Sequence, residues 1–128
     1  MRANMMLCNA AERLDNGLMN MEGAGRSVFP SPTPESALAI KLEIPWSMAN
    51  TPLQMELDLV NADGRKLGGV TGEYDGANPL PETPPGVPLD STLVVPLPSF
   101  SLVPGRYAWQ LKISDEHPEG GYLGFTVR

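Results

Sequence analysis

Apolar and polar residues alternate with a period of two along most of the chain. In SALAIKLEIPW, Leu38, Ile40, Leu42, Ile44 and Trp46 share one face, with Lys41 and Glu43 opposite. LQMELDLV sets Leu53, Met55, Leu57 and Leu59 against Gln54, Glu56 and Asp58. STLVVPLP contributes Leu93, Val95 and Leu97, RYAWQLKIS contributes Tyr107, Trp109, Leu111 and Ile113, and YLGFTV contributes Leu123, Phe125 and Val127. This alternation predicts half-buried antiparallel strands, because successive side chains of a strand point to opposite faces. No stretch of ten or more residues carries a helical period; WSMANTP is expected to form one helical turn before Pro52.

Turn residues punctuate these runs. Asn16-Gly17 suits a two-residue hairpin turn joining the N-terminal run to LMNME. NADG at 61–64, VPG at 103–105 and HPEGG at 117–121 separate later strands. KLGGVTGEY carries Gly68, Gly69 and Gly72, a composition that marks a bulge or a sheet edge. The pattern predicts an all-β, antiparallel sandwich of seven or eight strands, with residues 1–128 forming one domain.

Composition sharpens this picture. Gly (13) and Pro (14) make up about a fifth of the 128 residues, against roughly 12% in average proteins. With 41% hydrophobic residues and no collagen-like period, the excess reads as turns and crossings rather than disorder. NPLPETPPGVPLDS at 78–91 and FPSPTPES at 29–36 are expected to carry the chain from one sheet to the other. Proline prefers extended backbone and limits the freedom of the unfolded chain. A second reading of the longer segment is a polyproline ligand for a groove in a partner.

The formal net charge is −6, and the nine Lys and Arg residues are scattered. Nucleic acid and anionic membrane surfaces both call for clustered cations, so neither is expected as a partner. No apolar run reaches the length of a transmembrane helix. The stretch MMLC is too short for the apolar region of a signal peptide, and Leu7 before Cys8 argues against lipidation. One cysteine allows no intrachain disulfide. The expected location is the cytoplasm or a particle assembled there.

The segments GLMNMEGAG, ALAIKLEIPW, ANTPLQMELDLVNADG, PPGVPLD and LPSFSLVPGRYAWQL occur in an order that resembles a family of small actinobacterial and phage-associated all-β proteins, a domain of unknown function. The resemblance spans nearly the whole chain. It implies an immunoglobulin-like sandwich and brings no catalytic residues with it. PGRYAW is also similar to the turn and strand late in immunoglobulin-like domains, where a tyrosine bonds back to the chain upstream. Tyr107 is the matching residue, with Trp109 at the inter-sheet position; the cysteine pair of that fold is absent.

Candidate chemistry is sparse. GAGRSV lacks the third glycine of a dinucleotide fingerprint, and Pro30 follows where a helix would start. SDEHPEG groups Asp115, Glu116, His117 and Glu119, but without the spacing of a zinc or EF-hand site. His117 is the sole histidine, and no sequence signal links it to Cys8 or to a serine. The reading is therefore non-enzymatic, with no cofactor and no metal.

The methionines stand out. Met1, Met5, Met6, Met19 and Met21 are five of the seven. They either fill the core or give an N-terminal hairpin a second apolar face for a partner. Met5, Met19 and Met21 are the interface candidates. The expected function is a structural or protein-interaction module, an accessory subunit that binds a protein partner or itself. The alternative is a small-ligand or carbohydrate-binding module, which would need exposed aromatic residues.

Overall fold

In the computed structural model, which describes residues 1–74 and 84–128, the alternating runs become strands of two facing sheets. The first sheet holds β1 (Arg2–Cys8), β5 (Ser36–Ile44) and β8 (Leu89–Leu97) in the order β1-β5-β8. The second holds β4 (Val28–Phe29), β6 (Leu53–Asn61), β7 (Lys66–Tyr74), β9 (Gly105–Ile113) and β10 (Tyr122–Val127) in the order β4-β10-β9-β6-β7. A separate hairpin pairs β2 (Ala10–Arg13) with β3 (Met19–Glu22). The protein is all-β, as expected, with ten strands among the described residues where the sequence pattern suggested seven or eight. The additional strands are short. Two to four residues leave too little alternation for a period to register.

All strand pairs are antiparallel except β4 with β10, which run parallel through Thr126↔Val28 and Val127↔Phe29. The N-terminal run also departs from expectation. NMMLC belongs to β1 and pairs with β5, from Arg2↔Glu43 to Cys8↔Ala37, and so is not an arm of the hairpin. The hairpin turn spans three residues, Asp15-Asn16-Gly17. The Leu14 N–H donates to the Leu18 carbonyl (2.8 Å) and the Gly17 N–H to the Leu14 carbonyl (2.9 Å). Gly17 takes the left-handed conformation, φ +82°, that closes such three-residue loops.

Between the sheets, an aromatic layer meets an aliphatic one. Trp109 is 2% exposed; its ring stacks at 6.5 Å on Phe125 and tilts at 5.8 Å against Phe100. Phe125 in turn stacks on Tyr107 and meets Phe29 edge-on. Leu38, Ile40, Leu42 and Ile44 of β5 face them, fully buried. The Tyr107 hydroxyl donates to the Val103 carbonyl at 2.6 Å, the upstream bond expected of it. Trp46, expected at the inward end of β5, is not in the strand. Pro45 intervenes and Trp46–Met48 form a 3₁₀ turn, leaving the indole half-buried.

Both proline-rich segments connect strands of opposite sheets. Residues 29–36 lead from β4 to β5, and residues 78–88 fall between β7 and β8, with 89–91 opening β8. Of the latter, residues 78–83 lie outside the described residues, and so does most of the polyproline reading. The shorter crossing is tied down at buried Thr33. Its N–H donates to the Phe100 carbonyl (2.8 Å), and its hydroxyl accepts from the Phe100 N–H (2.8 Å).

Both edge strands of the smaller sheet, β1 and β8, are partly covered. On β1, Ala3 N–H donates to the Glu119 carbonyl (2.7 Å), and the Leu7 carbonyl accepts from Gly25 (2.9 Å) and Arg26 (3.2 Å). Gly120, φ +79°, sits where a Cβ would lie 2.2 Å from the Ala3 oxygen, so this closure needs glycine. On β8, the Arg13 guanidinium donates to the Thr92 carbonyl and hydroxyl, both at 3.1 Å, and Pro96 offers no N–H. These contacts hold β2 against β5 and β8. Cys8, Ala37 and Ala39, on the outward side of the smaller sheet, are consequently buried too. Their small side chains allow that close approach.

Trp109→Ala is expected to lower the unfolding free energy by about 3–5 kcal/mol in denaturant titration, as large aromatic truncations do. For Cys8, burial pushes the thiol above its ordinary range, opposed by a backbone hydrogen bond from Ala39. A raised native pKa means that stability is complete below the unfolded thiol's range and declines as pH climbs through the native value. The melting temperature is expected to fall more steeply above about pH 8.5 in the native sequence than in Cys8→Ala. The folded thiol is expected to resist alkylation until the protein is denatured.

Candidate interaction surfaces

The β2–β3 hairpin presents two faces. Arg13 pairs with Met19 and Ala11 with Met21, which puts these four side chains on one face, while Glu12, Asn20 and Glu22 lie on the other. Arg13 reaches Thr92 of β8, so the face bearing the methionines is the one turned toward the smaller sheet. It is incompletely covered: Met19 is half-buried and Met21 is 46% exposed. Leu18 at the hairpin tip is 62% exposed, and Met6, on the outward side of β1, is 42% exposed.

Met5 has a different place. It alternates with Met6 on β1, shares the inward side with Ala3 and Leu7, and packs against the core. The structure therefore brings Met19 and Met21 together and sets Met5 apart from them. Period two separates Met5 from Met6. Of that pair, the outward-facing Met6 is the one that the sequence reasoning left off its candidate list.

At one end of the sandwich, three connections meet: residues 45–52 after β5, residues 84–88 before β8, and residues 114–121 between β9 and β10. Together with the start of β1 they enclose an open groove of about 490 Å³, lined by Arg2, Glu43, Pro45, Trp46, Pro88 and Glu119 among others. Arg2 pairs with Glu119 at 3.6 Å, although its cross-strand neighbour is Glu43. Glu43 has no ion-pair partner among the described residues. It stands opposite Asp90 on β8, a like-charge pairing, while Asp90 is held by Lys41 at 3.8 Å.

The SDEHPEG turn forms one wall of this region. Lys112 lies 3.6 Å from Asp115 and 3.9 Å from Glu56, and His117 is exposed. Among the described residues no three His, Cys, Asp or Glu side chains are gathered as metal ligands. Cys8 and this turn sit at opposite ends of β1, whose first residues bond Glu119. Six strand steps amount to about 20 Å, too far for a thiol and an imidazole to share a proton. A second cavity, of about 20 Å³ between Phe29, Phe100, Trp109 and Phe125, has room for one water molecule.

Sequence reasoning placed Trp46 on the inward face, and it does pack half-buried against the core, but from the 3₁₀ turn after β5, where it also lines the groove. The signal was present in Pro45, which interrupts the β5 alternation and turns the indole out of the strand.

The chain has no match among curated proteins. Residues 4–123, nearly its whole length and both sheets, match DUF6941, a family of unknown function, and the chain belongs to that family.

Proposed function

We propose that this DUF6941 protein works by contact, as a non-enzymatic accessory subunit of a larger assembly. A phage particle or a bacterial protein complex put together in the cytoplasm is the kind of assembly meant. The observation that carries this reading is the hairpin standing outside both sheets, with Leu18 and Met21 exposed and Met6 exposed on the outer side of β1. Methionine suits an adaptable contact, because its unbranched side chain repacks readily against a partner. Exposed apolar side chains of this kind on a small acidic domain suit contact with a partner.

We further propose that the sandwich is immunoglobulin-like. The order β1-β5-β8 facing β10-β9-β6-β7 corresponds to strands A-B-E facing G-F-C-C′ of variable-type domains. In that correspondence Tyr107 takes the corner position near the start of strand F. Trp109, two residues on, stands where such domains carry the second cysteine of their inter-sheet disulfide. By analogy of fold, domains of this architecture serve widely as recognition modules.

Substitution separates contact from packing. Met19→Gln combined with Met21→Gln is expected to reduce the native mass of the protein isolated from its own cells to that of a monomer, with only a modest fall in melting temperature from the half-buried Met19. Met5→Gln, which places an amide against the core, is expected to destabilise by about 1–3 kcal/mol. An unchanged native mass with a sharply lowered melting temperature in the Met19/Met21 variant would return the hairpin to ordinary packing.

A further inference from the structure

We infer that the outer edge of β7 pairs antiparallel with β7 of a second copy of this chain, continuing the larger sheet from one copy into the next. The other edges of the two sheets are short or partly covered: β4 has two residues, β1 is bonded by Glu119, Gly25 and Arg26, and β8 by Arg13. β7 has nine residues and ends its sheet. Among the described residues, no group outside β6 makes a hydrogen bond or an ion pair with residues 66–73. Such an edge presents a row of unpaired N–H and C=O groups, which select an extended backbone as their partner. The devices that commonly blunt an edge are confined to its start: the bulge lies between the pairs Leu59↔Gly68 and Val60↔Lys66, and the lysine is Lys66 itself. From Gly68 to Glu73 there is no proline, lysine or bulge. The glycines point the same way. A Cβ at Gly68 would meet no atom within 4 Å, one at Gly72 would meet only the end of Met55 at 3.9 Å, and neither residue has a positive φ. The fold has room for a side chain at both positions, although glycine in a strand costs conformational entropy. Glycine there suits the close approach of another backbone.

Charge selects the second copy and its direction. Arg65 and Lys66 stand at one end of the strand and Glu73 near the other, all three exposed. Arg65 and Glu73 have no ion-pair partner among the described residues, and Lys66, 3.1 Å from Asp58, keeps a side chain that is 61% exposed. Antiparallel self-pairing about Val70 sets Gly68 against Gly72 and Gly69 against Thr71, and it brings the cationic end of each copy to Glu73 of the other. Each favourable approach occurs twice, as a two-fold contact requires. Parallel pairing would set like charges together. The net charge of −6 repels a second copy at longer range, but physiological salt screens that repulsion beyond about 8 Å, so the charges at the contact decide.

This contact is separate from the hairpin, which lies against the smaller sheet while β7 ends the larger one. Edge pairing adds hydrogen bonds of modest net worth and little apolar burial, so the dimer is expected at high micromolar to millimolar concentration, above that at which a native mass is read from cells. The Met19/Met21 variant is expected to keep it. The test is sedimentation and amide hydrogen exchange of the purified chain as its concentration is raised. Alternate amides between Leu67 and Glu73, those pointing away from β6, are expected to gain protection as the dimer forms. Glu73→Lys is expected to weaken dimerisation by about tenfold or more, and so is Arg65→Glu with Lys66→Glu, because each leaves like charges facing one another. Mixing the two variants is expected to restore pairing as a heterodimer, an outcome that a folding defect in either could not produce. The inference is overturned if the chain stays monomeric throughout, if the mixture pairs no better than each variant alone, or if those amides are already protected in the monomer. Protection gained only in the assembly isolated from cells would assign the edge to another protein and overturn it equally.

Discussion

Everything in this sandwich depends on the aromatic layer of β9 and β10 lying against the aliphatic face of β5. Trp109 is the largest member of that layer, and its contacts reach both a strand neighbour, Phe125, and a loop residue, Phe100. Aromatic rings bury large areas with few rotatable bonds, so a small number of them can fix the spacing of two sheets. Where related architectures use a disulfide between sheets, this chain has one cysteine, and that cysteine lies on the outward side of β1. Packing alone therefore sets the separation of the sheets.

A core built this way leaves the two sheets unequal, three strands against five. The wider sheet ends in β7, whose inward positions opposite Leu59, Leu57 and Met55 are Gly68, Val70 and Gly72. Little side-chain volume is presented where the sandwich tapers. The narrower sheet meets the opposite problem, since its outward side carries Cys8, Ala37 and Ala39, which water would otherwise reach. The β2–β3 hairpin covers them and, through Arg13 and Gly17 at Thr92, closes part of the free edge of β8. Packing and surface are thus linked, because the element that protects the sheet also carries the exposed Leu18 and Met21.

The two ends of the sandwich differ in character for a comparable reason. At one end, the crossings at 29–36 and 98–104 are bound together by Thr33 with Phe100 and by Ser31 with Leu102, and their polar groups are used up in holding the chain. At the other, Trp46 packs half-buried against the core from the turn after β5, and the connection between β9 and β10 is tied by the pairs Arg2–Glu119 and Lys112–Asp115.

The sequence alone determined the strands from β5 onward, the inward faces of β5, β6, β9 and β10, the turn at 61–64 and the upstream bond of Tyr107. Each of these is written in local alternation or in a turn residue whose backbone preference acts over a few positions. Only the tertiary structure decided which strands pair. It joined β1 to β5 instead of to the hairpin, set β4 parallel to β10, and buried Ala37 and Ala39 on a side that alternation assigns to solvent. It also separated Met5 from Met19 and Met21, and it brought Glu43 and Trp46 together with Pro88 and Glu119 in one groove from three distant stretches of chain. Period two fixes which way a side chain points relative to its own strand. It carries no information about what another segment will lay on either face, because that depends on the global arrangement that buries the most apolar surface.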